Sequence, residues 1–195
     1  MGKPHSTRQQ EIVDAAIFLA ANKGVRHISA QAIADIVGIA QPTVFRHFKS
    51  CDAIFGAAIE KIGMGMFAAI GEYFTNPGPA DERLKNLIHA QLHYISDNKG
   101  LPRLLFSDRL HNDSDALKGA IQMVMGNYYN LMAALVRDGQ AEGSFRRDID
   151  AEETARMVAA LMQGLIIRWS IFDFDFSLRD EAAPLWGFIH AAIRA

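Results

Sequence analysis

The chain has 195 residues, half of them apolar, and a formal charge of −2. The apolar fraction suffices for a packed core and excludes a disordered or low-complexity chain, which could not offset its ordering entropy. The single cysteine, Cys51, excludes an intrachain disulfide framework and a cysteine zinc cluster, and it fits a reducing compartment. The charge is unevenly divided. Through Ser50, six cations (Lys3, Arg8, Lys23, Arg26, Arg46, Lys49) face three anions (Glu11, Asp14, Asp35), a balance of +3 that leaves −5 for the remainder. A small basic segment joined to a larger acidic one suggests division of labour, although chance variation on a mixed surface gives the same sum.

Helical patterns run through the whole chain. The first helix is expected to start near Ser6 or Thr7, each with a glutamine three residues on in capping-box register, and to end at Gly24. Its Ile12, Ala16, Leu19 and Ala20 share one face. Ser29 caps a short second helix with an apolar face of Ala32, Ile33, Ile36 and Val37, and Gly38 ends it. Residues 41–48 read as a third short helix, with Pro42 tolerated in the first turn. A fourth starts near Ser50 and runs toward Phe74, where Thr75-Asn76-Pro77-Gly78-Pro79 stops it. Longer helices follow at about 80–97, 101–111, 114–141, 151–172 and 178–193, with Asp150 capping the fourth of these and Ser177 the last, whose start Pro184 could delay.

No apolar run is expected to reach the about 20 residues of a membrane span. The best, Met157 to Ile167, is interrupted by Gln163 and flanked by Arg156 and Arg168. The first residues, MGKPHSTRQQE, carry no apolar signal segment, so a cytoplasmic location is expected.

Two short helices joined at Gly38 form a helix-turn-helix candidate, in which the first braces the second so that its leading end can enter a major groove. On that second helix Gln41, Thr43, Arg46 and His47 supply polar groups, and Val44 and Phe48 the inward face. An ordinary helical hairpin would show the same periodicity. The residues Ile12-Val13-Asp14-Ala15-Ala16, Leu19, Gly24, Ala34-Asp35-Ile36, Gly38-Ile39 and Thr43-Val44-Phe45-Arg46-His47-Phe48 resemble the TetR family of transcriptional regulators over about the first 60 positions, a stretch of small-module size. The resemblance implies an all-α homodimer. Its DNA-binding head would be a three-helix helix-turn-helix unit at 1–50, and its ligand-binding, dimerising helical body would span 51–195.

It also implies roles. Gln31, Gln41 and Thr43 would touch bases or phosphates, and glutamine can pair bidentately with adenine. Pro42 would shape the helix start or meet a thymine methyl, and Arg46, His47 and Lys49 would contact phosphate. Three residues depart from the family pattern. Phe45 stands in place of the usual tyrosine, Ala40 in place of a capping serine or threonine, and Cys51 in place of lysine.

Beyond the head, the residues rich in sulfur and aromatic surface suggest an effector pocket, with Met64, Phe67, Phe106, Met125, Tyr128, Met132 and Met162 as lining and His93, Tyr128 and Gln163 as polar handles. For any one of them taken singly, core packing is the better account; it is the group that suggests a pocket. The stretch 154–172 is apolar on nearly all sides, which a subunit interface would cover. Met157, Leu161 and Ile167, with Trp186 and Ile189 of the last helix, are the expected interface of a two-fold four-helix bundle. Such a dimer would meet a near-palindromic double-stranded DNA operator, and a small-molecule effector acting through the fourth helix would release it. No cofactor, metal or membrane partner is expected. A metal-dependent enzyme built on His89, His93 and Asp97 is the alternative, though nucleophile and phosphate-loop motifs are missing; a helical adaptor for another protein is a third reading.

Overall fold

The computed structural model describes residues 5–108 and 115–195. Among the described residues the regular elements are helical, with one isolated antiparallel bridge, Phe145 to Arg194. The all-α expectation holds. The chain forms two compact units, residues 1–65 with 98–118, and residues 66–97 with 119–195.

The first unit begins with α1 (His5–Lys23). The helix is already running at His5, so Ser6 and Thr7 lie inside it rather than at its cap. Gly24, at φ +89°, ends it with its N–H on the Leu19 carbonyl, as the sequence predicts. A 3-10 turn (Val25–His27) leads to α2 (Ala30–Val37). The Ser29 hydroxyl accepts from the Ala32 N–H at 3.1 Å, and Gly38 closes the helix in the left-handed region. The third helix, α3, spans Gln41–His47. A Ser50 cap, accepting from Ala53 N–H at 3.1 Å, starts α4 (Cys51–Ile70). Helix α7 (Gly100–Leu105) packs on α1. A Cβ on Gly100 would sit 3.0 Å from the Ile17 carbonyl oxygen, so glycine permits that approach. Arg103 Nη1 then donates to the free Ala21 carbonyl near the end of α1 at 3.0 Å.

Helix α4 corrects one expectation. By length and composition alone it could cross a membrane. Its glycines and the adjacent Glu60 and Lys61 broke up the apolar run in the sequence. In the structure Ile54, Phe55, Ala58 and Ile62 are buried, and Lys61 pairs with Asp14 of α1 at 2.5 Å. These four side chains seat one face of the helix, while most of its other positions stay partly or fully exposed. The helix also stops earlier than expected, at Ile70; Gly71 separates it from the single turn α5 (Glu72–Thr75).

The second unit holds α6 (Ala80–Asp97), α8 (Asp115–Glu142, from Gly119 on), α9 (Ala151–Ile171) and α10 (Ala182–Ile193). Asp150 caps α9, accepting from Glu153 N–H at 2.7 Å. Two further boundaries differ from expectation. The helix expected at 101–111 ends at Leu105, and its last three expected residues lie outside the described ones. The last helix starts at Ala182, not 178, because the Ser177 hydroxyl accepts from Asp180 N–H at 3.3 Å and holds a turn first. Pro184 then falls in the first helical turn, where an N–H has no intrahelical partner.

The α8–α9 connection is a packed clamp. Gly143, at φ +83°, reverses the chain, and Ser144 and Phe145 N–H both reach the Gly139 carbonyl. Phe145 is fully buried. Gln140 Nε2 donates to the Arg146 and Ile149 carbonyls, while Arg146 N–H donates to Ile193 O at the end of α10. A Cβ on Gly139 would lie 2.1 Å from the Phe145 ring. Gly139→Ala should therefore displace that ring and cost about 1–3 kcal/mol, read as a lower urea midpoint; an unchanged midpoint would show that Phe145 has room to move.

Candidate functional site

In the first unit, α3 is seated by one side chain. Val44 is fully buried. Thr43 and His47 are half-buried, and Gln9 Nε2 of α1 donates to the His47 carbonyl at 3.3 Å. The remaining positions face outward: Gln41, Pro42, Phe45, Arg46 and, just beyond the helix, Lys49. No side chain caps α3 at Ala40. The helix thus presents an exposed amide and the Pro42 ring at its leading end, and the Phe45 ring and Arg46 guanidinium in its last turn. Gln31 is exposed on α2, and its Nε2 donates to Asp35 Oδ1 one turn later at 2.7 Å. That bond occupies the amide donor that a bidentate base contact would use.

The expected body residues divide between the two units, Met64 and Phe106 in the first and the others in the second. Met64, Phe106 and His93 are exposed, and Phe67 is half-buried. Tyr128, Met132 and Met162 are buried in the second unit. Tyr128 donates its hydroxyl to Gln91 Oε1 at 2.7 Å, with Met162 Sδ at 3.9 Å and the Phe74 ring edge-on at 6.1 Å. Gln163 Nε2 lies 4.0 Å from Met125 Sδ. The sequence reading missed Gln91, a buried amide and the partner of the Tyr128 hydroxyl. The signal was available: Gln91 sits on the apolar stripe of α6, among Leu84, Leu87, Ile88, Leu92 and Ile95. A buried amide bonded to a buried phenol is an uncharged polar point in an apolar setting.

Among the interface candidates, Met157 (67% exposed) and Leu161 (40%) lie open, Ile167 and Trp186 are half-buried, and Ile189 is buried in its own chain. Phe188, on the same apolar face of the last helix, is 65% exposed. An open groove of about 400 Å³ runs between α9 and α10 with Met157, Leu161, Phe188 and Ile189 in its walls. His89 and His93 face a separate cleft, and no group of three or more His, Cys, Asp or Glu able to hold a metal occurs among the described residues.

Burial raises the Tyr128 hydroxyl far above its ordinary value of 10.0, only partly offset by its bond to Gln91. In the native state the phenol therefore keeps its proton after the unfolded phenol has lost it. Stability from this group is full below about pH 10 and declines as pH rises beyond it. Urea unfolding between neutral and alkaline pH should show that decline, and Tyr128→Phe should flatten it; an identical alkaline slope in both proteins would contradict a buried phenol.

Two family models match the chain in order. "Bacterial regulatory proteins, tetR family" covers residues 12–58, and "Tetracyclin repressor-like, C-terminal domain" covers residues 77–169. Among curated relatives, the nucleoid occlusion factor SlmA of Vibrio campbellii is 22% identical over 194 residues, 99% of each chain. Among solved structures, the fatty acid degradation regulator FadR of Bacillus halodurans superposes with a TM-score of 0.82 at 19% identity, covering 97% of this chain and 96% of that one. A putative transcriptional regulator from Saccharomonospora viridis, in complex with choline, reaches 0.85 at 24% identity, covering 97% and 99%. These likenesses carry the fold, and the two matching models carry the family. The chain belongs to the tetR family of bacterial regulatory proteins: it is a DNA-binding transcriptional regulator and not an enzyme.

Proposed function

We propose that this regulator is a cytoplasmic, ligand-responsive repressor that binds a near-palindromic operator as a homodimer and is released by a small-molecule effector. The observation that carries the DNA-binding half of this reading is the outward set of α3, Gln41, Pro42, Phe45 and Arg46, on a helix pinned by Val44. Gln41 and Thr43 read bases. Arg46, His47 and Lys49 hold phosphates, and they supply most of the salt dependence. Phe45 offers an apolar face where a phenol would have bonded phosphate. Gln31 joins the contact when DNA competes with Asp35 for its amide. The head, 1–50, and the body, 51–195, are the working divisions.

The dimer forms through the α9–α10 groove, where Met157, Leu161 and Phe188 expose apolar surface that a second copy would cover. Two-fold symmetry then sets the heads on successive major grooves, ~34–36 Å apart. The effector binds in the body near Tyr128 and Gln91, among Met125, Met132, Met162 and Gln163. Two neighbours of the same fold concern fatty acid degradation and choline, chemistries so unlike that the fold leaves the effector open. The signal passes through α4, a continuous helix with residues in both units. Effector binding shifts the dimer only by its differential affinity for the two states, typically ~1–3 kcal/mol.

In vitro selection of genomic fragments should return a two-fold symmetric site. On that site Arg46→Ala should weaken binding on all sequences and lower the salt slope by about 1, whereas Gln41→Ala should relax preference at one base pair per half-site. An unchanged salt slope would remove Arg46 from the phosphate contacts.

Met157→Glu and Phe188→Glu should each convert the dimer to monomer in sedimentation equilibrium, with loss of operator binding. A dimer that survives both substitutions would place the interface elsewhere.

A further inference from the structure

A cleft of about 290 Å³ opens on the second unit, away from the apolar groove, lined by Tyr73, Asn86, His89, Ala90, His93 and Arg179. Five of these six side chains can donate hydrogen bonds, and none is a carboxylate. His89 and His93 stand one turn apart on α6 and so share a face. Arg179 comes from the turn before α10, and it is held from behind. Its Nε donates to Ser96 Oγ at 2.8 Å and its Nη2 to Asp97 Oδ1. Neither bond uses Nη1. Asp97 also lies 3.7 Å from His93 Nε2, so one carboxylate orients both an imidazole and the guanidinium without lining the cleft.

The geometry points to a binding site for a small anion, a carboxylate or a phosphate group, with Arg179 as its charged anchor and His89, His93, Asn86 and Tyr73 as donors. A guanidinium presents a planar fork matched to such oxyanions. Paired imidazoles at this spacing also suit a divalent cation, but the Arg179 charge in the same cleft opposes one. The volume fits a headgroup rather than a whole large molecule, and the open side leaves room for the remainder of one. The site is independent of the apolar region around Tyr128, so the fate of either leaves the other standing.

Asp97 supplies a distinguishing test. Its negative charge repels an incoming anion while it holds Arg179 in place. Asp97→Asn removes the charge and keeps an oxygen to accept from Arg179, so it should tighten anion binding; were Asp97 merely a brace, the substitution would loosen it. The full-length protein is titrated by calorimetry with inorganic phosphate and with malonate at constant ionic strength, glycerol serving as the neutral control. The imidazole resonances of His89 and His93 are followed in parallel. Saturable binding of an anion with shifts at both histidines is expected. His89→Ala and Arg179→Gln should each weaken it about tenfold, Arg179→Lys should weaken it less, and Asp97→Asn should strengthen it. Absence of saturable anion binding, an affinity unchanged in Arg179→Gln, weaker binding in Asp97→Asn, or saturation by zinc ions in place of the anions would each overturn the assignment.

Discussion

A seven-residue helix does not hold itself together in water, because nucleation fixes more dihedrals than its few hydrogen bonds offset. Helix α3 has no side-chain cap and only one fully buried residue, Val44. Its existence therefore depends on packing beneath it. Ile33 and Ala34 of α2 and Ile12, Ala16 and Leu19 of α1 form the buried floor of the head. Gly38 makes the turn tight enough for α2 to brace α3, adopting φ +71° where a Cβ would be strained. The Gln9 bond to the His47 carbonyl secures the far end. With so little committed to the core, most of α3 remains free to face a groove. A more deeply buried helix would be steadier but would have fewer side chains to offer.

The opposite constraint rules α9 and α10. Those helices carry more apolar surface than one chain covers, and Met157, Leu161 and Phe188 remain exposed. Ala160 and Gly164 on α9 and Gly187 and Ala191 on α10 are also exposed, and small enough for close helix approach. A monomer with this face would expose a contiguous apolar patch of the kind that marks an interaction surface. The proposed dimer thus follows from a surplus of buried-type residues, just as the proposed DNA contact follows from their scarcity on α3.

How far the sequence could be read depended on the range of the interactions involved. The caps at Ser29 and Asp150 and the left-handed glycines 24 and 38 were legible because each depends on residues within about one turn. The late start of α10 was only half legible, since Pro184 signalled it but the Ser177 turn decided it. The residues near Tyr128 were only partly anticipated. Residue type alone marks Tyr128 and Met162 as pocket candidates, yet the Gln91 partner, 37 positions from Tyr128, is set by tertiary packing. His93 was grouped with Tyr128 on chemical character alone, whereas the fold turns it outward beside His89 and Arg179. The membrane-length character of α4 was hidden by counting unbroken apolar runs, which a helix tolerating Gly56, Gly63 and Gly65 does not need.

Helix α6 shows why a residue's face matters more than its type. Gln91 and His93 are two positions apart, about 200° around the helix axis. That rotation puts the amide in the apolar interior, where it bonds a phenol that burial keeps protonated. It puts the imidazole on the outer side, in a cleft anchored by a guanidinium. One rigid element therefore backs two chemically opposite environments, an uncharged polar point in a dry core and a charged donor cluster in water. An uncharged group could enter the first without a charge-burial penalty, whereas an anion could reach only the second without losing its hydration to apolar walls. If both are occupied, the two ligands would be linked through a helix too well packed to deform locally, so coupling between them would require a shift of α6 as a whole.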